Sequence, residues 1–188
     1  MILIIDNYDS FTHNLVQCAG ELKLKIRTIR NDEISVNKIR NINPSHIILS
    51  PGPGNPQHSG VCLEILTNYA HKIPILGVCL GHQSIGYVYG AKIKQLVLPI
   101  HGKTSEIFHN KHTLFQEIPN PFLAARYHSL IIDEKNLPEN LKIIAWTKDG
   151  TIMGCQHKIY PKLCGIQFHP ESLWTCSGKT IIRNFLFF

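Results

Sequence analysis

Short, continuously apolar runs alternate with amphipathic segments in the first half of the chain. An apolar run of about four residues is typical of a strand buried on both faces, whereas apolar positions spaced three or four apart predict a helix. Strands are predicted at residues 2–5, 25–29, 47–49 and 75–78, and helices at 11–22, between Ser35 and Pro44, at 60–70 and from about 81. Ser10 and Ser35 are the expected helix N-caps. This βαβα order predicts a parallel sheet with helices on both faces.

The pattern changes after Ala91 to strands and turns with little helix. Strands are predicted at residues 91–97, 104–108, 123–126, 141–146, 151–157 and 163–168, and a last helix at 179–187. We therefore predict an α/β fold with an open, mostly parallel, twisted sheet flanked by helices and an additional antiparallel sheet region in the C-terminal half. No repeat, linker or low-complexity tract interrupts the sequence, so residues 1–188 are expected to form one domain.

Composition narrows the class of protein. The 188 residues are 44% hydrophobic and 17% charged, which excludes a disordered chain. Apolar runs fall short of the roughly 18 residues of a membrane span, and the sequence does not open like a signal peptide, so we expect neither membrane association nor secretion. The six cysteines lack C-x-x-C spacing and are interpreted as reduced thiols.

The net charge of +6 does not by itself indicate a nucleic-acid partner. The basic residues are scattered, and their densest cluster, residues 23–30, alternates with apolar positions like the solvated face of a strand or a helix edge. A nucleic-acid footprint would be more clustered, so no nucleic-acid partner is expected. The many Ile, Lys and Asn residues are typical of an AT-rich genome, such as that of an organelle or a microbe.

The segment Gly77-Val78-Cys79-Leu80-Gly81 is the strongest local signal. An apolar strand precedes it and a helix follows it, which is the context of a nucleophile elbow with Cys in place of Ser. The flanking glycines would relieve crowding at the sharp turn, and the N-terminal end of the following helix would favour the thiolate. The alternative is a buried structural cysteine between two packing glycines.

A partner base is offered by the segment Gln167-Phe168-His169-Pro170-Glu171. In extended backbone, residues two apart project to the same side, so Glu171 could accept a hydrogen bond from one nitrogen of His169 while the other nitrogen faces the thiol. That is the nucleophile, base and orienter arrangement of a triad. A histidine after a strand can equally be a core or surface residue.

The loop Ser50-Pro51-Gly52-Pro53-Gly54-Asn55-Pro56 follows another strand of the same predicted sheet. Its glycines would let backbone N–H groups approach a ligand closely. An N–H from this loop, together with that of Leu80, could form an oxyanion hole. The alternative is that the loop is only a rigid turn.

With these segments together, the sequence resembles the class I, triad-type glutamine amidotransferases. The segments that carry the resemblance cover nearly the whole chain: residues 6–12 (D-N-Y-D-S-F-T) with Asn14-Leu15, 50–54 with Pro56, 77–83, 101–103, 126–130 (R-Y-H-S-L) and 165–172. The first and the R-Y-H-S-L segments narrow it to the chorismate-linked branch, the glutaminase subunits of anthranilate synthase and aminodeoxychorismate synthase.

The resemblance implies roles for individual residues. Cys79 would attack the glutamine amide, His169 would transfer protons and Glu171 would hold the imidazole. Gly52 and Leu80 would supply the oxyanion-hole N–H groups. The positions that match the family's glutamine-binding residues are Gly52, Pro53, Gly54, Gln83, Ser129 and Leu130. His82 and Cys79 invite a zinc interpretation, but no second ligand pair at suitable spacing is apparent, so no metal site is expected. Packing or hydrogen bonding is expected of His101 and His128.

The resemblance also implies a partner. We expect ammonia to pass to a separate chorismate-binding large subunit that makes anthranilate for tryptophan biosynthesis, in a heterotetramer of two copies of each subunit. No cofactor is expected in this chain, and Mg²⁺ only in the partner. The location would be a plastid (chloroplast) stroma or a bacterial cytoplasm. The alternatives are the aminodeoxychorismate partner or a subunit serving both enzymes, a non-catalytic binding module, and an independent cysteine hydrolase.

Two segments depart from the family pattern. Residues 95–100 are more apolar than usual, and Leu173-Trp174 follows the triad segment where smaller aliphatic residues are common. Both could alter how the chain meets its partner.

Overall fold

The computed structural model describes residues 1–187 as nine strands and five α-helices. The strands are β1 (Ile2–Asp6), β2 (Ile26–Arg30), β3 (His46–Leu49), β4 (Ile75–Val78), β5 (Ile93–His109), β6 (Phe122–Ile132), β7 (Leu141–Thr147), β8 (Ile152–His157) and β9 (Leu163–Ile166). The helices are α1 (Thr12–Gly20), α2 (Val36–Ile42), α3 (Val61–Tyr69), α4 (Leu80–Val88) and α5 (Gly178–Leu186). No helix in this part of the chain is long and apolar enough to span a bilayer.

All nine strands belong to one sheet, in the order β2-β1-β3-β4-β9-β8-β7-β5-β6. The pairs from β2 to β9 are parallel, as predicted, so these strands end at one common edge. From β9 to β6 every pair is antiparallel. The predicted antiparallel region is therefore a continuation of the same sheet.

The apolar runs are buried on both faces, as their composition predicts. In β1, Ile2 and Ile4 pack into one hydrophobic cluster with residues of α1 and α5, whereas Leu3 and Ile5 pack into a second cluster with residues of α2, α3 and α4. The core thus lies in two layers, one on each face of the sheet.

Three strand predictions are wrong in their bounds. Residues 91–97 and 104–108 belong to one strand, β5, because two register shifts against β6 accommodate the irregular residues between them. The strand predicted at 123–126 continues to Ile132 through the same irregularities. The strand predicted at 163–168 ends at Ile166, where its pairing with β4 and β8 stops.

The predicted N-cap of the first helix is also wrong. Helix α1 begins at Thr12, and the groups before it are held by carboxylates instead of by Ser10. Asp9 accepts from the backbone N–H of Phe11 (2.8 Å), and Asp6 accepts from the hydroxyl of Thr12 (2.8 Å). Ser35 does precede α2, but its side chain makes no capping hydrogen bond.

Candidate active site

Cys79 lies between β4 and α4, at the carboxyl edge of the parallel strands. Its φ of 51° and ψ of −100° fall in a region that non-glycine residues rarely adopt. The backbone N–H of Cys79 donates to the carbonyl of Ile166 at the end of β9 (2.8 Å), which fixes the turn against the sheet. Because α4 begins at Leu80, its positive N-terminal end adjoins the sulfur and favours the thiolate.

Gly77 and Gly81 make this strained turn possible. A Cβ on Gly77 would lie 2.4 Å from the carbonyl oxygen of Gly81, and a Cβ on Gly81 would lie 2.5 Å from that of Leu49. Both distances are shorter than real Cβ contacts, and backbone oxygens cannot move aside as a flexible side chain can. The crowding that the sequence pattern predicts is therefore present on both sides of Cys79.

His169 and Glu171 follow directly after β9 and form a buried hydrogen-bonded pair. Nδ1 of His169 and Oε1 of Glu171 are 2.6 Å apart, and the two side chains are 3% and 0% exposed. Burial alone would lower the pKa of His169, but Cys79 and Glu171 outweigh it and raise that pKa. Because Glu171 occupies Nδ1, Nε2 is the nitrogen left for proton transfer, and within residues 1–187 it has no hydrogen-bond partner.

The position of His169 is fixed through its backbone and its ring. Its N–H donates to the carbonyl of Ala125 on β6 (3.0 Å), and its carbonyl accepts from the hydroxyl of Thr175 (2.8 Å). Tyr127 and Phe11 pack edge-to-face on the imidazole, with ring centroids at 5.1 and 5.8 Å. The D-N-Y-D-S-F-T and R-Y-H-S-L segments thus each contribute one aromatic ring to the support of the base.

The loop at residues 50–54 is anchored by Asn7. The backbone N–H of Asn7 donates to the Ser50 hydroxyl (2.9 Å), and its side-chain amide donates to the Ser50 carbonyl (2.8 Å). A Cβ on Gly52 would lie 2.5 Å from Cβ of Asn7 and 2.7 Å from Cδ2 of Leu80, so Gly52 lies directly against the first residue of α4. The backbone of Gly52 and that of Leu80 are therefore brought together beside Cys79, while Pro53 and Gly54 are exposed.

Gln83 and Leu130 also meet at the site. Gln83 lies one turn into α4, and its Nε2 donates to the carbonyl of Leu130 on β6 (2.9 Å). His128 Nδ1 lies 3.2 Å from the same carbonyl oxygen. Ser129 is exposed next to it, opposite a bulge of β5, since Gln95 pairs with Leu130 and Ile100 pairs with His128.

Two buried polar residues of the site received no role from the sequence. Gln167 is completely buried, and its Nε2 lies 3.5 Å from the sulfur of Cys79. Arg126 is 5% exposed and donates through Nε to His128 Nε2 (3.1 Å). A signal for Gln167 was available, because it is a polar residue in an apolar segment and lies two positions before His169.

The remaining histidines have structural surroundings. His82 is fully buried, its Nδ1 lies 3.5 Å from Sγ of Cys155, and burial lowers its pKa to about 3. His101 packs edge-to-face on Tyr127, and His128 makes the hydrogen bonds described above. Within residues 1–187, no group of three or more His, Cys, Asp or Glu side chains is placed to hold a metal ion. All six cysteines are free thiols.

Comparison with known proteins extends over almost the whole chain. The family model for class-I glutamine amidotransferases matches residues 3–187. Anthranilate synthase component 2 of Porphyra purpurea is 59% identical over 99% of this chain and 98% of its own. Aminodeoxychorismate/anthranilate synthase component 2 of Bacillus subtilis is 48% identical over 99% of this chain and 95% of its own. A crystal structure from Thermoplasma acidophilum, assigned to a GMP synthase, superposes with a TM-score of 0.83 at 27% identity, covering 98% of this chain and 91% of that one.

The family model, the two relatives and the solved structure agree with each other, and they agree with a strained cysteine between a parallel strand and a helix beside a buried His–Glu pair. The chain belongs to the class-I glutamine amidotransferase family.

Proposed function

We propose that the chain is the glutaminase subunit of anthranilate synthase. It hydrolyses glutamine to glutamate and passes the ammonia to a separate chorismate-binding large subunit, which makes anthranilate for tryptophan biosynthesis. The observation that carries the proposal is Cys79, strained at the N-terminus of α4, beside a His169 whose pKa is raised and which is bonded to buried Glu171. The branch is supported by the relative from Porphyra purpurea, which carries that name at 59% identity.

The reaction follows from these positions. The Cys79 thiolate attacks the side-chain amide carbon of glutamine, and the resulting oxyanion is bound by the N–H groups of Gly52 and Leu80. His169 gives its proton to the departing nitrogen, which leaves as ammonia, and a γ-glutamyl thioester remains. His169 then takes a proton from water, and the resulting hydroxide attacks the thioester, releasing glutamate and the thiolate. Glu171 keeps Nδ1 of His169 occupied, so that Nε2 carries both proton transfers.

Glutamine would be held in front of Cys79 by residues of the loop after β3, of α4 and of β6. These are Gly52, Pro53, Gly54, Gln83, Ser129 and Leu130. The chain itself needs no cofactor for this reaction, since every step uses side chains and backbone N–H groups. Mg²⁺ would act only in the chorismate-binding subunit, and the complex would hold two copies of each subunit.

A plastid stroma is the proposed location, with a bacterial cytoplasm as the alternative. The codon-biased composition and the relative from Porphyra purpurea, a red alga, support the plastid. The relative from Bacillus subtilis, named for both aminodeoxychorismate and anthranilate synthase, supports a second candidate function. That candidate is a glutaminase subunit serving p-aminobenzoate synthesis, alone or in addition to anthranilate synthesis.

Cys79→Ser tests the proposal in a complex with the purified large subunit. The wild-type complex should form anthranilate from chorismate with either glutamine or ammonia. The variant should lose at least about 10³-fold of the glutamine-dependent rate and keep the ammonia-dependent rate, because the large subunit does not use the thiol. A variant that keeps its glutamine-dependent activity contradicts the mechanism.

The branch is tested by pairing the same wild-type chain with an aminodeoxychorismate synthase large subunit. Glutamine-dependent product in that pairing alone overturns the anthranilate assignment. Product in both pairings establishes a shared subunit.

A further inference from the structure

The side chain of Gln167 is in contact with the proposed nucleophile. Gln167 is the first residue after β9, completely buried, and its backbone N–H donates to the carbonyl of Met153 (2.9 Å). Its Nε2 lies 3.5 Å from Sγ of Cys79, within hydrogen-bonding distance for sulfur. The residues are 88 positions apart in the chain, and the pairing of β4 with β9 brings them together.

A chain of hydrogen bonds fixes which end of the amide faces the sulfur. The carbonyl of Leu130 can only accept, so the group of Gln83 that lies 2.9 Å from it must be the NH₂. The same NH₂ lies 3.1 Å from the Gln167 amide, which must therefore present its oxygen to Gln83. That leaves the NH₂ of Gln167 pointing at Cys79.

The far end of this chain is fixed by Arg126, which can only donate. Arg126 Nε donates to Nε2 of His128 (3.1 Å), so His128 carries its proton on Nδ1 and donates to the Leu130 carbonyl (3.2 Å). Burial, together with the charge of Arg126, lowers the pKa of His128 to about 3, which keeps the ring in this neutral form. The carbonyl of Leu130 is thus held from two sides, by His128 and by Gln83.

We propose that Gln167 is a catalytic residue of the glutaminase reaction, whose side-chain N–H donates to the sulfur of Cys79 and stabilises its thiolate. A hydrogen bond to a charged acceptor is stronger than one to a neutral acceptor, so this N–H favours the thiolate over the thiol and over the neutral thioester. It therefore assists where the thiolate is formed from Cys79 and again where the thiolate leaves during hydrolysis of the thioester. The inference rests on the proposed function only in taking Cys79 as the nucleophile.

The test is the pH dependence of Cys79 alkylation by iodoacetamide in the full chain, followed by mass spectrometry of the Cys79 peptide. Gln167→Met keeps a side chain of similar size but removes the donor. The midpoint of the rate-versus-pH curve should move up by about one pH unit, since one unit corresponds to a modest hydrogen bond to a charged group. Gln167→Glu, which places a carboxylate beside the sulfur, should move it further in the same direction.

Gln156→Met is the matched control. Gln156 is 3% exposed on β8, and its Nε2 donates to the Pro161 carbonyl (2.5 Å). That substitution also removes a buried amide and a hydrogen bond, so it should lower the melting temperature comparably and leave the Cys79 midpoint where it is. A merely structural role for Gln167 would likewise lower the melting temperature without moving the midpoint.

An unchanged midpoint in folded Gln167→Met or Gln167→Glu overturns the proposal. Should neither variant fold, side-chain amide NMR of the wild-type chain decides. The Gln167 NH₂ signals should move as the pH is raised through the midpoint, and should not move in Cys79→Ala. Alkylation requires neither glutamine nor the large subunit, so its result is independent of whether the chain serves anthranilate synthase.

Discussion

Glu171 carries a charge that the fold has removed almost entirely from solvent. Its side chain is 0% exposed, one oxygen bonds His169, and the other has no hydrogen-bond partner among residues 1–187. Burying a carboxylate is costly unless it is paired, and here its principal partner is the imidazole. The negative charge is therefore best understood as holding a proton on His169, next to Cys79.

Glu171→Gln should lower the pKa of His169. The raised pKa means that the imidazolium persists to higher pH than for a free histidine, and Glu171 contributes to that rise, so removing its charge makes His169 lose its proton at lower pH. Ring-nitrogen NMR titration of His169 measures this midpoint directly. We also expect glutamine-dependent turnover in the complex to fall by about 10²-fold or more, because the imidazole loses its orientation and its charge partner.

Glu21→Gln provides the control for that substitution. Glu21 pairs with Lys179 at 2.7 Å on the surface, where its side chain is 47% exposed. The same change of residue type there should leave the His169 titration and the turnover unaffected. An unaltered His169 midpoint in Glu171→Gln would mean that the carboxylate does not control the base.

The sequence was most informative about residues whose partners are close in the chain. The His169–Glu171 hydrogen bond spans two positions and the Gly77–Cys79–Gly81 crowding spans four, so local spacing predicts both. Gln167 could not be assigned in this way, because its contacts with Cys79 and Gln83 depend on how distant strands pair. The roles given to Gly52 and Leu80 stay predictions of the resemblance, although the structure brings the two residues together.

At the scale of elements, the parallel half of the sheet was predicted well and the antiparallel half less well. Runs such as residues 47–49 are short, apolar and bounded by turn residues, so their length and type are clear. β5 was divided in two because Pro99 and Gly102 suggest a break. The strand continues because β6 pairs with it on both sides of each irregularity. Such continuity is a property of the partner strand and cannot be read from β5 alone.

Gly81→Ala tests the packing of α4 against β3. A methyl group there would meet the backbone oxygen of Leu49 at 2.5 Å, so α4 or β3 must shift. We expect a loss of about 1–3 kcal/mol in the free energy of unfolding, measured by urea denaturation, because overpacking against backbone is not relieved by a rotamer change. The displaced helix should also slow alkylation of Cys79.

Gly20→Ala is the control at this scale. Gly20 ends α1, and a Cβ there meets nothing nearer than Cδ1 of Ile26 at 3.9 Å. Its substitution should leave stability unchanged or raise it by about 0.4–1 kcal/mol, by restricting the unfolded chain. Equal losses in the two variants would show that steric crowding at Gly81 is not what the elbow depends on.

For the whole molecule, the basic excess and the exposed apolar residues have different distributions. The densest basic cluster falls at and before β2, the outer strand of the parallel half, where Lys25, Arg27 and Arg30 are exposed and discourage edge-to-edge pairing. Large apolar side chains are instead exposed in the two segments that depart from the family pattern. Val97 and Leu98 are 97% and 79% exposed beside Ser129, and Leu173 and Trp174 are 95% and 68% exposed shortly after Glu171.

Trp174→Ser should weaken binding of the large subunit by about tenfold or more, because exposed aromatic side chains that become buried at an interface often contribute 1–2 kcal/mol or more. Isothermal titration calorimetry of the two subunits measures this affinity. Ile159→Ser is the matched control. Ile159 is 74% exposed but lies in the turn before β9, at the opposite edge of the sheet from Cys79, so its loss should not change the affinity. If Ile159→Ser weakens binding and Trp174→Ser does not, the large subunit contacts the amino edge of the parallel strands, and ammonia would have to cross the sheet to reach it.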